Sequence, residues 1–140
     1  MTASTLGSAL RDAAANAAEG IRLWDRQEQE TLLDWRSLWE RARRVAGGLR
    51  ERGVRPGDTV ALVFPTGASF FHAFFGVTLA GAVPVPLYPP VRLGRLEEYH
   101  ARTAGLLTAA RVRLVLCDSR TWRILGESVS RARQIGRAHV

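Results

Sequence analysis

The sequence predicts an α/β fold in which parallel sheet strands are covered by helices, and three observations predict it. The run TVALVFP, Thr59 to Pro65, is apolar without alternation, the pattern of a strand buried on both faces. The helical stretch ASFFHAFFGVTLAG separates it from a second apolar run, AVPVPL, read as a second buried strand. Strand, helix, strand in that order gives a right-handed crossover with the two strands parallel. After a further amphipathic segment, RLVLCD (Arg113 to Asp118) reads as a third strand.

Each element has its own local signal. The Ala-rich stretch Leu6 to Ala18 has high helix propensity, and Gly20 is expected to stop it. IRLWD and TLLDW flank the polar turn RQEQE and predict a short peripheral hairpin. Asp34 suits the N-cap of the next helix, where Leu38, Ala42, Val45, Ala46 and Leu49 recur at helical spacing. Arg36, Arg43 and Arg50 lie along another side of it, Glu40 is placed to pair with Arg44, and Gly53 with Pro56 ends it. VRPGD is a turn into the first core strand.

In the following helix Phe71, Phe74, Phe75 and Leu79 are expected on one face. Four of the six prolines, Pro84, Pro86, Pro89 and Pro90, then fall within seven residues. Val83 and Val85 are expected to pack while the prolines terminate pairing. Leu96, Tyr99, Thr103, Leu106, Leu107 and Ala110 form the next amphipathic face, and Asp118 suits the N-cap of a last helix, SRTWRILGESVSRAR. Three parallel strands without the rest of a sheet are expected to leave an unpaired edge and one uncovered apolar face.

Length and composition bound the function. A chain of 140 residues makes one domain, or a piece of a larger one. Cys117 is alone, so no internal disulfide forms and a reducing, cytoplasmic setting fits. The N-terminus has no basic segment before a long apolar core, so it does not read as a secretory signal. The net charge of +7 resembles a nucleic-acid signal, but all twenty basic residues are Arg with no Lys anywhere, a bias that coding composition explains. Acidic residues interrupt the Arg36, Arg43, Arg50 series of that helix, so a solvated face is expected over the alternative of a nucleic-acid surface running from Arg41 to Arg55. Thr59 to Val91 carries no Asp, Glu, Lys or Arg, yet Pro65, Gly67 and the proline cluster cut it into pieces shorter than a membrane span.

The chemistry-bearing residues do not assemble into a motif. A phosphate-cradling P-loop requires a lysine that this chain lacks, and no G-x-G-x-x-G occurs. GASFF begins like a nucleophile elbow, but Phe71 stands where a second Gly is needed, so Ser69 reads as a capping or surface hydroxyl, with His72 on the same helix. His72, His100 and Cys117 lack metal-ligand spacing, and Cys117 reads as a small buried hydrophobe. Glu97 and Glu98 are adjacent on a helix and therefore splay apart. No catalytic, cofactor-binding or metal-binding residue is assigned.

The stretch from SLWERARRVAGGLRERGVRPGDTVAL through LAGAVPVPLYPP resembles the start of the adenylate-forming (AMP-binding) superfamily, which includes acyl-CoA synthetases, peptide-synthetase adenylation domains and luciferases. GVRPGDTVAL and LAGAVPVPLYPP carry the resemblance, and LYPP followed by RLEEYHARTAGLL is similar to the fatty acyl-AMP ligase branch. The likeness runs from Leu6 to Arg133 and implies part of the N-terminal subdomain of such an enzyme. It implies a complete parent that uses ATP and Mg²⁺ to convert a fatty acid to an acyl-adenylate, then passes the acyl group to an acyl carrier protein. The family's phosphate loop, its nucleotide-holding residues and its late lysine have no counterparts here, so the 140 residues alone are expected to bind neither cofactor and to be inactive.

Residues 134–140 depart from the family pattern. IGRAHV is what a common sequencing adapter encodes in one reading frame, so 1–133 is read as the partial subdomain and 134–140 as a non-native tail. On that reading Arg137 and His139 are not natural, and removing Arg137 leaves a charge near +6. The alternatives are a fragment of an acyl-CoA synthetase or peptide-synthetase adenylation domain, and, in another class, a small basic nucleic-acid-binding module.

Overall fold

A computed structural model describes residues 5–16, 18–90, 93–132 and 136–139. Ala17 of the opening helical stretch, Val91 of the uncharged run and residues 133–135 and 140 at the C-terminus lie outside the described residues. The elements are α1 (Leu6–Ala13), β1 (Gly20–Trp24), β2 (Glu30–Asp34), α2 (Trp35–Glu51), β3 (Thr59–Val63), α3 (Ala68–Leu79), β4 (Val83–Leu87), α4 (Leu96–Ala109), β5 (Val112–Cys117), α5 (Ser119–Ala132) and β6 (Gly136–His139). β3 to β6 form one parallel sheet in the order β4-β3-β5-β6, and β1 with β2 forms a separate antiparallel hairpin.

The sheet is the middle of three layers. Val60 and Leu62 of β3, with Leu114 and Leu116 of β5, face Ala46 and Leu49 of α2 and Ala73 and Val77 of α3. Alternate residues Ala61, Val63, Val115 and Cys117 face the other way, onto Leu107 of α4 and Leu125 and Val129 of α5. The absence of alternation in TVALV is thus the signature of a strand with helices on both sides. Both faces of β3 and β5 are covered, contrary to the expectation of one uncovered apolar face.

Five local features refine the sequence reading. First, α1 ends at Ala13, because Asn16 Oδ1 accepts the Ala18 N–H at 3.3 Å and offers the backbone an alternative to the helix. Gly20 does not stop a helix; it opens β1 opposite Asp34, where a side chain would collide with the Leu33 carbonyl oxygen. Second, Asp34 caps α2 as expected, its Oδ1 accepting the Ser37 N–H at 2.8 Å, which holds its carboxyl below the usual range. The Glu40–Arg44 ion pair is not among those formed by the described residues.

Third, the four α3 residues expected on one face divide between two environments. Phe74 packs with the sheet-facing core, Phe71 and Phe75 pack with Leu10, Leu33 and Leu38 under the hairpin, and Leu79 joins both. α3 is wedged between α2, the sheet and the hairpin, so it is apolar nearly all round. At the α2–α3 crossing Gly76 has no side chain where a Cβ would come within 3.2 Å of the Ala42 carbonyl oxygen and 2.5 Å of Val45 Cβ. Arg50 Nη2 donates to the Leu79 carbonyl at 3.0 Å and satisfies the end of α3.

Fourth, β4 is an edge strand and not a buried one: Val83 is 48% exposed. Its prolines do not terminate pairing, since Pro84 and Pro86 stand in register with Val60 and Leu62 of β3. The Val83 N–H donates to the Asp58 carbonyl at 2.8 Å, so the odd positions face β3. Pro84 and Pro86 then put their ring nitrogens on the outward edge, where no donor is needed.

Fifth, α4 buries a polar residue. His100, Thr103 and Leu107 form its buried face, while Leu106 is 47% exposed. His100 Nδ1 lies 2.8 Å from Ser128 Oγ of α5. Beside it the Arg131 guanidinium grips Glu97 through two hydrogen bonds of 2.8 and 2.9 Å, and its Nε donates to Glu127 at 2.9 Å. Asp118 Oδ1 accepts the Thr121 N–H at 2.6 Å, as expected of an N-cap.

Candidate functional site

The helix after β3 covers one face of the sheet and the helix after β5 covers the other, so the carboxyl ends of these adjacent strands mark a topological switch point. Open α/β sheets bind ligands in the crevice outside such ends. Beside it, between the ends of β3 and β4, lies an open cleft of about 440 Å³ lined by Phe64, Pro65, Thr66, Pro86, Leu87, Tyr88 and Pro89. The cleft is mainly apolar because the prolines and Phe64 carry no side-chain polar atoms. Tyr88 is 87% exposed, and its carbonyl accepts the Tyr99 hydroxyl of α4 at 3.0 Å, which ties the proline-rich exit to the far layer. Burial pushes the Tyr99 phenol up from its usual value.

The residues weighed for chemistry are scattered. Ser69 is exposed in the first turn of α3, which is capped by no side chain, so it is a surface hydroxyl and not a cap. His72 is half-buried one turn on; burial and then the neighbouring Arg41 charge hold its imidazole below the usual range. His100 is spent on Ser128 in the interior. Cys117, at the end of β5, is fully buried, and burial pushes its thiol up to about 11, the profile of an inert packing residue. Glu97 is drawn to Arg131, whereas Glu98 sits 3.9 Å from both Arg95 and Arg102. Among the described residues no three His, Cys, Asp or Glu side chains converge on a metal position.

The cleft does not fit a nucleotide triphosphate by itself. None of its seven lining residues carries a cation for phosphate oxygens or a carboxylate for Mg²⁺. Sequence reasoning missed Phe64, Thr66 and Tyr88 as a group. The signal that finds them is position alone: each follows the last residue of a parallel strand or lies within three residues of it.

A sequence model described as "AMP-binding enzyme" matches residues 10–138. Pyochelin synthetase PchE of Pseudomonas aeruginosa is 45% identical over 100 residues, covering 69% of this chain and 7% of that protein. The salicyl-AMP ligase / salicyl-S-ArCP synthetase of Mycobacterium tuberculosis is 35% identical over 109 residues, covering 75% of this chain and 19% of its own. A solved structure from a study of fatty acyl-adenylate ligases of E. coli and L. pneumophila superposes with a TM-score of 0.89 at 28% identity, over 96% of this chain and 24% of that one. The chain therefore spans less than a quarter of the length of each of these proteins. With the matching region, the α/β/α layering and the parallel sheet in agreement, the chain belongs to the AMP-binding enzyme family, the adenylate-forming ligases.

Proposed function

We propose that the chain is the N-terminal part of a fatty acyl-AMP ligase, one that activates a fatty acid with ATP and Mg²⁺ and delivers it to an acyl carrier protein in the cytoplasm. The observation that carries this reading is the likeness to the fatty acyl-adenylate ligase structure over almost the whole chain. LYPP and RLEEYHARTAGLL supply the sequence side of the same argument. In the complete parent this portion is scaffold: it holds one wall of a cleft at the carboxyl ends of β3 and β4, and the groups that touch ATP come from elsewhere. The 140 residues alone are inactive on this reading.

A second reading, the adenylation domain of a peptide synthetase, draws on the 45% identity to pyochelin synthetase PchE. The acceptor and the acid separate the possibilities. The full-length parent is incubated with ATP, Mg²⁺, a labelled fatty acid, and either coenzyme A or holo carrier protein. Acyl-carrier product with little acyl-CoA is the expected outcome. Efficient acyl-CoA formation identifies an acyl-CoA synthetase instead, and activation of amino or aryl acids with none of fatty acids identifies the synthetase adenylation domain.

Residues 134–140 are proposed as non-native. The adapter translation supports this; the pairing of Gly136–His139 with β5 and a family match that reaches residue 138 weigh against it. Reading the uninterrupted genomic DNA past Arg133 decides the matter, with a codon series other than QIGRAHV expected.

A further inference from the structure

On the reading of the parent as an acid-activating ligase, we propose that Tyr99 is a positioning residue for its acid site: the Tyr99 hydroxyl holds the backbone of the β4 exit, one wall of the cleft at the carboxyl ends of β3 and β4. The observation is the hydrogen bond that this hydroxyl donates to the Tyr88 carbonyl at 3.0 Å. Leu87, Tyr88 and Pro89 line the cleft, yet the ladder that guides β4 along β3 ends at Val63 and Leu87. Among the described residues no backbone hydrogen bond outside the helices and strands reaches Tyr88, Pro89 or Pro90. The Tyr88 ring is 87% exposed and packs too little to fix that path. The two prolines stiffen the exit locally, and the bond from α4 sets where the stiff segment lies.

The anchor of this tether is firm. Tyr99 is half-buried and packs, with Leu87, against the core that α4 and α5 lay on the sheet. Its ring meets the His100 ring edge-on, the centroids 5.9 Å apart, and His100 is in turn bonded to Ser128 of α5. Shifting the exit therefore means breaking a bond to a point that is itself held on several sides. The chemistry of the wall decides which substrate feels such a shift. With no cation for phosphate oxygens and no carboxylate for Mg²⁺ among the cleft residues, the wall offers ATP nothing, whereas it offers apolar contact to the hydrocarbon part of an acid. The rest of the parent forms the opposite side; this wall is supplied by the present residues.

The test uses the full-length parent and acid-dependent pyrophosphate release, with palmitate or salicylate, whichever the parent activates. Tyr99→Phe removes the hydroxyl and keeps the ring; it is expected to raise KM for the acid about fivefold while kcat and the KM for ATP stay within about twofold of the parent values. Thr59→Val removes another hydroxyl-to-carbonyl bond, from Thr59 to Ala110 at the amino end of β3, and is expected to leave all three constants unchanged. Pro90→Gly loosens the same exit without touching the Tyr99 ring, should raise the acid KM in the same direction, and carries the test if Tyr99→Phe does not fold. An unchanged acid KM, an equal rise in the KM for ATP, or a rise matched by Thr59→Val overturns the proposal and leaves the reading of the parent standing. Activation of salicylate alone overturns the fatty-acid reading, and the same KM criterion then decides the role of Tyr99. No release with either acid overturns both.

Discussion

His100 Nδ1 and Ser128 Oγ meet at 2.8 Å with both residues buried, and this bond joins α4 to α5 within the layer that covers β3 and β5. An imidazole in such a place needs a partner, since a buried polar group left unsatisfied bears its full desolvation cost. Ser128→Ala is expected to lower unfolding free energy by about 1–3 kcal/mol, read as a shift in the urea midpoint. Adding His100→Leu should return part of the loss, because removing both partners is cheaper than removing one. A Ser128→Ala chain as stable as the parent contradicts the account.

The same substitution at two glycines should act with opposite sign. Gly76→Ala forces a methyl into Val45 and the Ala42 carbonyl at the α2–α3 crossing, with an expected cost of about 1–3 kcal/mol. Gly47→Ala meets open space on α2 and gains helix propensity, with an expected benefit of about 0.5–1 kcal/mol. Thermal melts of the two variants side by side check the packing directly.

The alternation in VPVPL predicts a protected edge. With Pro84 and Pro86 turned outward, β4 offers no N–H at those two positions to a passing strand. Pro84→Val/Pro86→Val restores both donors, and light scattering over a concentration series should detect self-association that the parent chain lacks. Identical scattering from the two chains would mean the prolines do not guard the edge.

Much of this architecture was legible because local and tertiary signals coincide. TVALV and RLVLC are uninterrupted apolar runs, and burial on both faces dictates that pattern; Asp34 and Asp118 cap helices with their own side chains, so no tertiary knowledge is needed to find them. What escaped depends on neighbours. His100 looks polar in sequence and is buried with Ser128 as its partner, while Leu106 looks like core and is 47% exposed. AVPVPL looks like a buried strand from its apolar content, yet prolines at alternate positions belong on an edge, and β4 stands at the end of the strand order. The cleft is a product of topology: Phe64 and Tyr88 are brought together only by the parallel pairing of β3 with β4.

His72 predicts a pH dependence. Burial, then Arg41, lowers its folded-state pKa below the ordinary value of about 6.5. Below that value the unfolded chain binds more protons than the folded one, so this residue's contribution is present above about pH 6.5 and is lost as pH falls toward the lowered folded value. His72→Gln should flatten the slope of stability in that interval, and Arg41→Gln should shallow it. A His72→Gln profile with unchanged slope would assign the dependence to other groups.

The central claim is that these residues are the scaffold portion of an adenylating ligase whose chemistry resides elsewhere in a longer chain. The most direct measurement is fatty-acid-dependent pyrophosphate release from ATP, made in parallel on the protein encoded by the uninterrupted gene and on the 140 residues. The account predicts release that requires fatty acid and Mg²⁺ from the former and none from the latter. Absence of acid-dependent release from the full-length protein, or its presence with the 140 residues alone, would contradict it.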